Sequence, residues 1–511
     1  MSAPQETTNA TSRKSRIERE AKLQAPADFK LPEQGSLTDS VSCGVAAEQQ
    51  LETVYYDTSD LRLAKHDASL RFRKDEGWTL KLPLEARGQT LVRTEHTFDS
   101  EGDAVPPEAL DLVQAMTRHE PLAPVAQLRT LRRHVPLLDA AGSALGEMVY
   151  DAVSVMEDDR PTATFHEIEV ELAEDAPDGI LDRVVQVIVQ QGAVVHPVQS
   201  KLLRALGPRA AELGEAAAPE PGAKASVAEL VRCALAKSVQ QLVRHDPGIR
   251  VAADSEQVHQ ARVATRRLRS DLRAFRRFLE EEWASSLRDE LSWLGGALGA
   301  VRDAEVLLRR LNSRAEALPA EDRPLAGHLL SRLEEELEHK RAELLVILRS
   351  DRYLSLLDRL EDTAKQPAFT ELAHEAKRSA LVRLVRKPWR RLRAAVKALP
   401  AQPRDADLHA VRIQAKRCRY TADAATPVGG RAAGTFAAAC RQIQDVLGEH
   451  QDAVVAQGWL REAAVRASSS EAYASGELAG EEQRAASLAR AAWPKAWKRL
   501  DRKARRRWMN A

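Results

Sequence analysis

In the N-terminal part of the chain, segment after segment alternates with a period of two and sets a densely charged face against an apolar one. Glu18-Arg19-Glu20-Ala21-Lys22 places Glu18, Glu20 and Lys22 at every second position, and alternate side chains of a strand share a face. Phe165-His166-Glu167-Ile168-Glu169-Val170-Glu171-Leu172 puts three carboxylates on one side, with Ile168, Val170 and Leu172 behind them. Between these runs the same period recurs with basic residues: Arg71 and Arg73, then Thr79 and Lys81, then Arg93 and Glu95. An open antiparallel sheet can show almost any charges to water. Strands carrying both signs at alternate positions fit a closed barrel with a wet, charged lumen better. Carboxylates there can hold a hard divalent cation, and Arg and Lys can grip the oxygens of a polyanion. Any one run is also met by the solvated face of an ordinary strand. Taken together they point to a phosphate-handling, metal-dependent barrel.

A chain of 511 residues is expected to hold two or more domains. Its net charge of +1 conceals 30% charged residues, so local patches carry more information than the total. The high Ala, Leu and Arg content favours helix over much of the length. The four cysteines form no CxxC pair, which suits a reducing compartment and argues against structural zinc. With no run long enough to span a membrane and a polar N-terminus, the chain reads as cytoplasmic.

Residues 1–14 are polar and are expected to be a disordered tail. A barrel domain is expected over 15–205, a Pro-, Gly- and Ala-rich linker over 206–224, and an all-α region over 225–511. Within the barrel domain, Gly44 to Asp57 and the stretch around Pro106, Pro107, Pro121 and Pro124 read as loops or short helices. In the helical region, breaks are expected near Pro247-Gly248, Pro319, Pro367, Pro400 to Pro403, and Pro427 to Gly430.

The helical region contains an internal repeat. His259-x-x-Arg262-x-x-x-Arg266-Arg267-x-Arg269 matches His409-x-x-Arg412-x-x-x-Lys416-Arg417-x-Arg419, at an offset of 150. Leu298-Gly299-x-x-Arg302-Asp303-Ala304 matches Leu447-Gly448-x-x-Gln451-Asp452-Ala453, at an offset of 149. A third echo pairs Lys387-x-Trp389 with Lys495-x-Trp497 at an offset of only 108. Ordered landmarks indicate duplication, and each copy, about 225–398 and 399–511, has room for a bundle of roughly four helices. In the first copy His259, Arg262, Arg266, Arg269 or Arg273, and Arg277 share one helical stripe; in the second, His409, Arg412, Lys416 and Arg419 or Tyr420 do so. Residues 377–397 hold nine basic residues and no acid. Like charges at i, i+4 destabilise a helix. A bound polyanion would compensate them, as would ion pairs with acidic helices. Neither His259 nor His409 has a partner at zinc-ligand spacing.

The N-terminal series resembles CYTH domains, the triphosphate tunnel metalloenzymes. The likeness rests on Glu18-x-Glu20-x-Lys22, Leu70-Arg71-x-Arg73, Thr79-Leu80-Lys81, Arg93-x-Glu95, the Arg-rich run 129–133, Asp151, Glu167-x-Glu169 and Ser200-Lys201. The resemblance implies an eight-stranded antiparallel barrel whose tunnel binds a triphosphate with Mg²⁺ or Mn²⁺. Carried over by position, Glu18, Glu20, Glu167 and Glu169 would be metal ligands, with Asp151 a further candidate. Lys22, Arg71, Arg73, Lys81, Arg93 and Lys201 would contact phosphate oxygens, joined by Arg132, with Arg133 as the alternative. Relatives that act as adenylyl cyclases often carry His and Phe ahead of the ExExK. Ser15-Arg16-Ile17 stands there in this chain.

The helical half resembles CHAD domains, whose duplicated bundles form a basic pore or groove for inorganic polyphosphate. That likeness makes His259, Arg262, Arg266, Arg269, His409, Arg412, Lys416 and Arg419 candidate polyphosphate contacts. The leading expectation is an inorganic triphosphatase tethered to a polyphosphate-binding module, in the cytoplasm or at polyphosphate granules. The alternatives are a non-enzymatic granule scaffold, or a cyclase, thiamine-triphosphatase or nucleoside-triphosphatase reaction in the same tunnel. A nucleic-acid role is not expected, because the basic helices carry almost no aromatic residues for base stacking.

Overall fold

The computed structural model describes residues 13–87, 90–99, 102, 104–173, 176–195, 200–211, 213, 221, 222, 224–251 and 255–510, with the side chains of 13–20, 84–87, 90–93, 503, 504 and 510 outside the description. The chain divides into two units, Met1–Ala216 and Ala217–Ala511. The tail expected over 1–14 falls outside the described residues up to residue 12, and a strand begins at Arg13.

The first unit is built on one antiparallel sheet. Its strands are β1 (Arg13–Gln24), β2 (Gly35–Thr38), β3 (Val41–Cys43), β4 (Ala47–Asp57), β5 (Ser69–Arg73), β6 (Gly77–Arg87), β7 (Thr90–Phe98), β8 (Ala123–Leu138), β9 (Ala144–Glu157), β10 (Arg160–Leu172) and β11 (Val194–Val195). Hydrogen-bonded order runs β2-β3-β8-β4-β5-β6-β7-β1-β10-β9; β11 pairs with β1, and β8 pairs with β9 as well as with β4. Short helices accompany the sheet: α1 (Arg62–Lys65), α2 (Pro107–Thr117), α3 (Ile180–Gln190), α4 (Lys201–Leu206) and α5 (Pro208–Ala211).

Register turns the alternation of the sequence into a surface. Lys22 lies opposite Glu169, Glu167 opposite Asp151, and Asp151 opposite Arg132. Arg71 lies opposite Thr79, and Lys81 opposite Glu95. Directly opposed residues share a face, so these side chains form one polar surface. On the reverse face Ile168, Val170 and Leu172 of β10 join Met148 and Tyr150 of β9, and α3 packs Ile180, Val184 and Ile188 against them. Gly146 makes the β9–β10 approach possible, since a Cβ there would overlap the carbonyl oxygen of Glu171.

The expectation of loop or short helix over Gly44 to Asp57 is corrected by β4, which pairs with both β5 and β8. Its polar opening, Ala-Glu-Gln-Gln, hides the alternation that begins with Leu51, Thr53 and Tyr55. The thread is recognisable afterwards in the β-branched and aromatic run Thr53-Val54-Tyr55-Tyr56.

The second unit is helical. Its helices are α6 (Val227–Arg250), α7 (Ser255–Ala274), α8 (Glu281–Ala315), α9 (Arg323–Leu348), α10 (Asp351–Lys365), α11 (Glu371–Glu375), α12 (Ser379–Leu384), α13 (Arg386–Lys397), α14 (Asp405–Ala424), α15 (Thr426–Val465) and α16 (Ser469–Leu500). Breaks fall near Pro319, Pro367 and Pro400 to Pro403, and α15 kinks at Gly430, which has φ 54°. The break expected at Pro247-Gly248 does not occur, because α6 runs on to Arg250. That last turn is pinned from the side. The buried Arg250 Nε donates to Asp246 at 2.6 Å, Tyr353 Oη donates to the same carboxylate at 2.8 Å, and Arg250 Nη2 donates to the Leu348 carbonyl at 2.8 Å.

Apolar stripes meet in separate clusters. One joins Trp389 and Leu392 of α13, Leu408 and Val411 of α14, Phe436 and Ile443 of α15, and Trp493 and Leu500 of α16. Another joins Leu311 of α8, Leu329 and Leu333 of α9, Leu460 of α15 and Leu478 of α16. Helix α13 precedes residue 398, where the first copy is expected to end, yet it packs on helices of the second. Trp389 stacks on Trp497, with ring centroids 5.7 Å apart and planes at 24°. The two Lys-x-Trp segments thus face each other across one core.

Candidate functional site

Three carboxylates converge on the polar face of the sheet. Asp151, Glu167 and Glu169 each offer an oxygen, and the three oxygens lie within 4.8 Å of one another. Asp151 and Glu167 are buried, at 0% and 3% exposure. The strands explain the convergence: Glu167 and Asp151 are cross-strand partners, and Glu169 follows Glu167 on the same face of β10.

Cations surround the cluster. Helix α4 begins at Ser200, whose side chain accepts a hydrogen bond from the Leu203 amide, and its first residue is Lys201. Lys201 Nζ lies 2.6 Å from Glu167, 2.8 Å from Asp151 and 2.9 Å from Glu169. Arg132 makes a two-pronged contact with Asp151, at 2.8 and 2.6 Å, and reaches Glu169 at 3.3 Å. Lys22 pairs with Glu169. Burial alone would lower the pKa of the Lys201 ammonium, but Glu167, Glu169 and Asp151 outweigh it and hold it above the ordinary lysine value. Burial likewise opposes ionisation of Asp151 and Glu169, and is overcome at Asp151 by Lys201 and Arg132, and at Glu169 by Lys201, Lys22 and Arg132; both pKa values end below the ordinary range. Lys201, Asp151 and Glu169 are therefore charged at neutral pH.

Farther along the same face, Lys81 Nζ lies 2.8 Å from Glu95, and Arg71 reaches the same carboxylate at 4.0 Å. Arg73 is buried, donating to Thr53 Oγ1 at 2.9 Å and to Glu76 at 2.6 Å. At the other end the face turns apolar. Tyr55, Leu128, Val153 and Val155 pack against Leu202 and Leu206 of α4, with Leu61 and Ala64 beside them. This packing anchors the helix that carries Lys201.

Strand parity sets Arg132 and Arg133 on opposite faces. Arg132 faces the carboxylates, whereas the half-exposed Arg133 faces away and pairs with Glu48 at 2.6 Å. The side chains of Glu18, Glu20 and Arg93 lie outside the described residues; the backbone places Glu18 opposite Arg93. Arg204 was missed. It donates to Glu167 at 3.3 Å, with its guanidinium 3.9 Å from the Phe165 ring centre. Its signal was the i, i+3 spacing from Lys201.

Three converging carboxylate oxygen donors suit a hard divalent cation such as Mg²⁺ or Mn²⁺. The surrounding lysines and arginines suit phosphate oxygens.

The helical unit holds a second feature, a cavity of about 920 Å³ whose walls come from α7, α12, α13, α14 and the start of α8. Of its 21 lining residues, 13 are Lys or Arg and none is Asp or Glu. Arg266, Arg269, Arg273 and Lys416 from the expected stripe line it, with Arg417 of α14 and with Arg277, which lies in the turn just past the end of α7. Arg386, Lys387, Arg390 and Arg391 complete the wall from α13. This is the acid-free basic run seen in the sequence, now placed opposite the stripe. Burial first, then Arg266 and Arg412, push the Lys416 ammonium down to about 7.

His259, Arg262, His409, Arg412 and Arg419 do not line this cavity. Arg262 instead donates to Asp303 at 2.8 Å and lies beside Gly299. Arg412 lies beside Gly448 in the same manner. The two landmarks of the repeat therefore touch each other in both copies, and the glycine leaves room for a guanidinium against the helix. His409 Nδ1 and Arg412 Nε are buried with no hydrogen-bond partner in the described structure. Burial, followed by the charge of Arg302, lowers the pKa of His259. Arg419 lies over the Tyr420 ring, 4.5 Å from its centre.

Comparison with known proteins follows the same division. Residues 16–187 match the CYTH domain and residues 233–461 match the CHAD domain. Uncharacterized proteins from two strains of Mycobacterium tuberculosis are 34% identical over 443 residues, covering 82% of this chain and 83% of theirs. Among solved structures, PptA from Streptomyces chartreusis is similar at 24% identity and a TM-score of 0.47, over 53% of this chain and 99% of its own. The CHAD domain from the plant Ricinus communis is similar at 26% identity and a TM-score of 0.40, over 57% and 95%. No helix among the described residues is long and apolar enough to cross a membrane.

Proposed function

This chain belongs to the proteins that join a CYTH domain to a CHAD domain, and from that premise we propose that it is a metal-dependent inorganic triphosphatase whose helical unit binds polyphosphate. The observation that carries the reading is the triad of buried Asp151 and Glu167 with half-buried Glu169, set among cations on one sheet face. In this reading the sheet is the eight-stranded tunnel expected from the sequence. The β8–β9 pairing supports it, since it returns the strand path to a strand already in it.

Asp151, Glu167 and Glu169, with Glu18 and Glu20, would hold a divalent cation, Mg²⁺ or Mn²⁺. When bound it would neutralise phosphate charge and orient the attacking water. Lys22, Arg71, Arg73, Lys81, Arg93, Arg132 and Lys201 would hold the phosphate oxygens and stabilise charge spread over the transferring group. Arg204, tied to Glu167, would keep that carboxylate in place. The apolar packing around Leu202 and Leu206 closes one end of the face to water. In the helical unit, Arg266, Arg269 and Lys416 would hold a polyphosphate in the acid-free cavity. His259, Arg262, His409, Arg412 and Arg419 would extend the basic track beside it. A cytoplasmic place, with association to polyphosphate granules, belongs to the same reading, and four free thiols suit a reducing compartment.

Complete ion-pairing of the three carboxylates by Lys201 and Arg132 favours a second reading, a clamp that binds polyphosphate without cutting it. Phosphate release with Mg²⁺ or Mn²⁺ separates the two, comparing inorganic triphosphate, ATP, thiamine triphosphate and long polyphosphate. Turnover of triphosphate that is lost in Glu167→Gln supports the triphosphatase. Tight polyphosphate binding with no turnover on any substrate overturns it in favour of the clamp.

A further inference from the structure

Lys201 occupies a place that a metal-binding triad leaves for something else. Its ammonium stands within 2.9 Å of an oxygen from each of Asp151, Glu167 and Glu169. Those are the three groups whose oxygens lie close enough together to share one cation. An ammonium carries one charge, and here it stands at ion-pair distance from all three carboxylates. Arg132, Lys22 and Arg204 supply further positive charge to the same three acids. Among the described side chains, every carboxylate of the cluster thus already has cationic partners, four cations against three acids.

A divalent cation entering that arrangement alone would raise an uncompensated positive charge in a site shielded from water, which is strongly unfavourable. A polyanion changes the balance. Its oxygens can take over Lys201, Arg132 and Lys22 as partners, and the released carboxylates then face the metal. The protein has the freedom this exchange needs. Leu202 and Leu206 hold α4 in an apolar cluster, while the four-carbon stem of a lysine lets its ammonium swing without moving the helix.

We propose that this site takes its divalent cation and its polyanion together, with Lys201 as an internal counter-ion that keeps the carboxylates from binding metal alone. The inference rests on the reading of the sheet face as a metal–triphosphate site, and adds to it an energetic coupling between the two ligands. By linkage, each ligand must strengthen the other by the same factor.

The test is Mn²⁺ binding to the full chain, followed by titration calorimetry and by thermal shift, with and without an imido-bridged triphosphate that resists hydrolysis. Mn²⁺ should bind the wild-type protein weakly alone and roughly 5–150-fold more tightly with the analogue present, beyond the affinity of Mn²⁺ for the analogue itself. Lys201→Met should gain affinity for Mn²⁺ alone by a factor in the same range and lose most of the coupling. Should Lys201→Met fail to fold, Lys201→Gln keeps a donor in place, and the wild-type coupling is measurable in any case. Equal Mn²⁺ affinity with and without the analogue overturns the counter-ion role and leaves the proposed function standing. Failure of the protein to bind Mn²⁺ and analogue in any combination overturns both.

Discussion

In the proposed polyphosphate site, Lys416 would make binding dependent on pH in a direction that can be stated beforehand. Its side chain is half-buried, and this desolvation, with the charges of Arg266, Arg412, Arg262 and Arg419, lowers its pKa to about 7 from an ordinary 10.5. At pH 8 the empty cavity therefore holds Lys416 roughly nine-tenths neutral. A polyphosphate placed among these cations restores the charged form, so binding takes up a proton wherever Lys416 was neutral beforehand. Below pH 7 the residue is already charged and the affinity gains nothing further from it. Above pH 7 the affinity declines as pH rises, by up to about tenfold per unit, until the bound-state pKa is passed. The ceiling is the full shift, roughly three to three and a half decades, if the bound lysine regains its ordinary pKa. Calorimetry with long polyphosphate from pH 6 to 9, at fixed ionic strength and in buffers of different ionisation enthalpy, reads both the affinity and the proton uptake. Lys416→Met should bind more weakly at pH 6 and lack the decline between pH 7 and 9. Identical pH profiles for wild type and Lys416→Met would refute the reasoning.

Arg132→Ala should abolish triphosphate turnover, because it frees a buried carboxylate of its two-pronged partner, whereas Arg133→Ala should leave kcat within about twofold and stability within about 1 kcal/mol, as for exposed ion pairs; steady-state kinetics on both variants decides it. Gly146→Ala should lower stability by about 2 kcal/mol or more, since its methyl group meets the Glu171 carbonyl and forces β9 from β10; thermal unfolding reads the loss. Trp389→Ala should destabilise the helical unit by about 3–5 kcal/mol, seen in urea unfolding followed by fluorescence. A small effect there would contradict the packing of α13 on Trp497 and Phe436.

Much of the polar face of the sheet was legible because strand periodicity is strict. Glu167, Glu169, Lys22, Arg71 and Lys81 stand at every second position, and each described one lies on the expected face. What lay beyond reach was register. Arg132 and Arg133 differ only in parity against Asp151, and parity is set by a partner strand 19 residues further along. Strand β4 went unrecognised for a related reason, since polar residues on a wet inner face resemble a loop. In the helical unit the repeated His-Arg stripe was legible, but its division of labour was not. Arg266 and Lys416 line the cavity while Arg262 and Arg412 clasp the Leu-Gly segments, a difference of one helical turn that depends on how α7 and α14 cross. The basic run 377–397 was visible as charge, and only packing shows it to be a wall. Lys201 was read as a phosphate contact; its hold on all three carboxylates is a tertiary fact with no local pattern.

The placement of α13 bears on any attempt to cut the proposed polyphosphate-binding unit down to a smaller reagent. The walls of the basic cavity are drawn from Arg266 through Arg417, and α13 is held by α14, α15 and α16 rather than by the helices that precede it. Cutting the chain between the two repeats would therefore yield no half-strength binder. One fragment would carry α7 together with an α13 stripped of the helices it packs on, and the other would carry α14 without its opposing wall. A workable affinity probe has to keep the helical region whole, and improvement would come from its rim charges rather than from trimming.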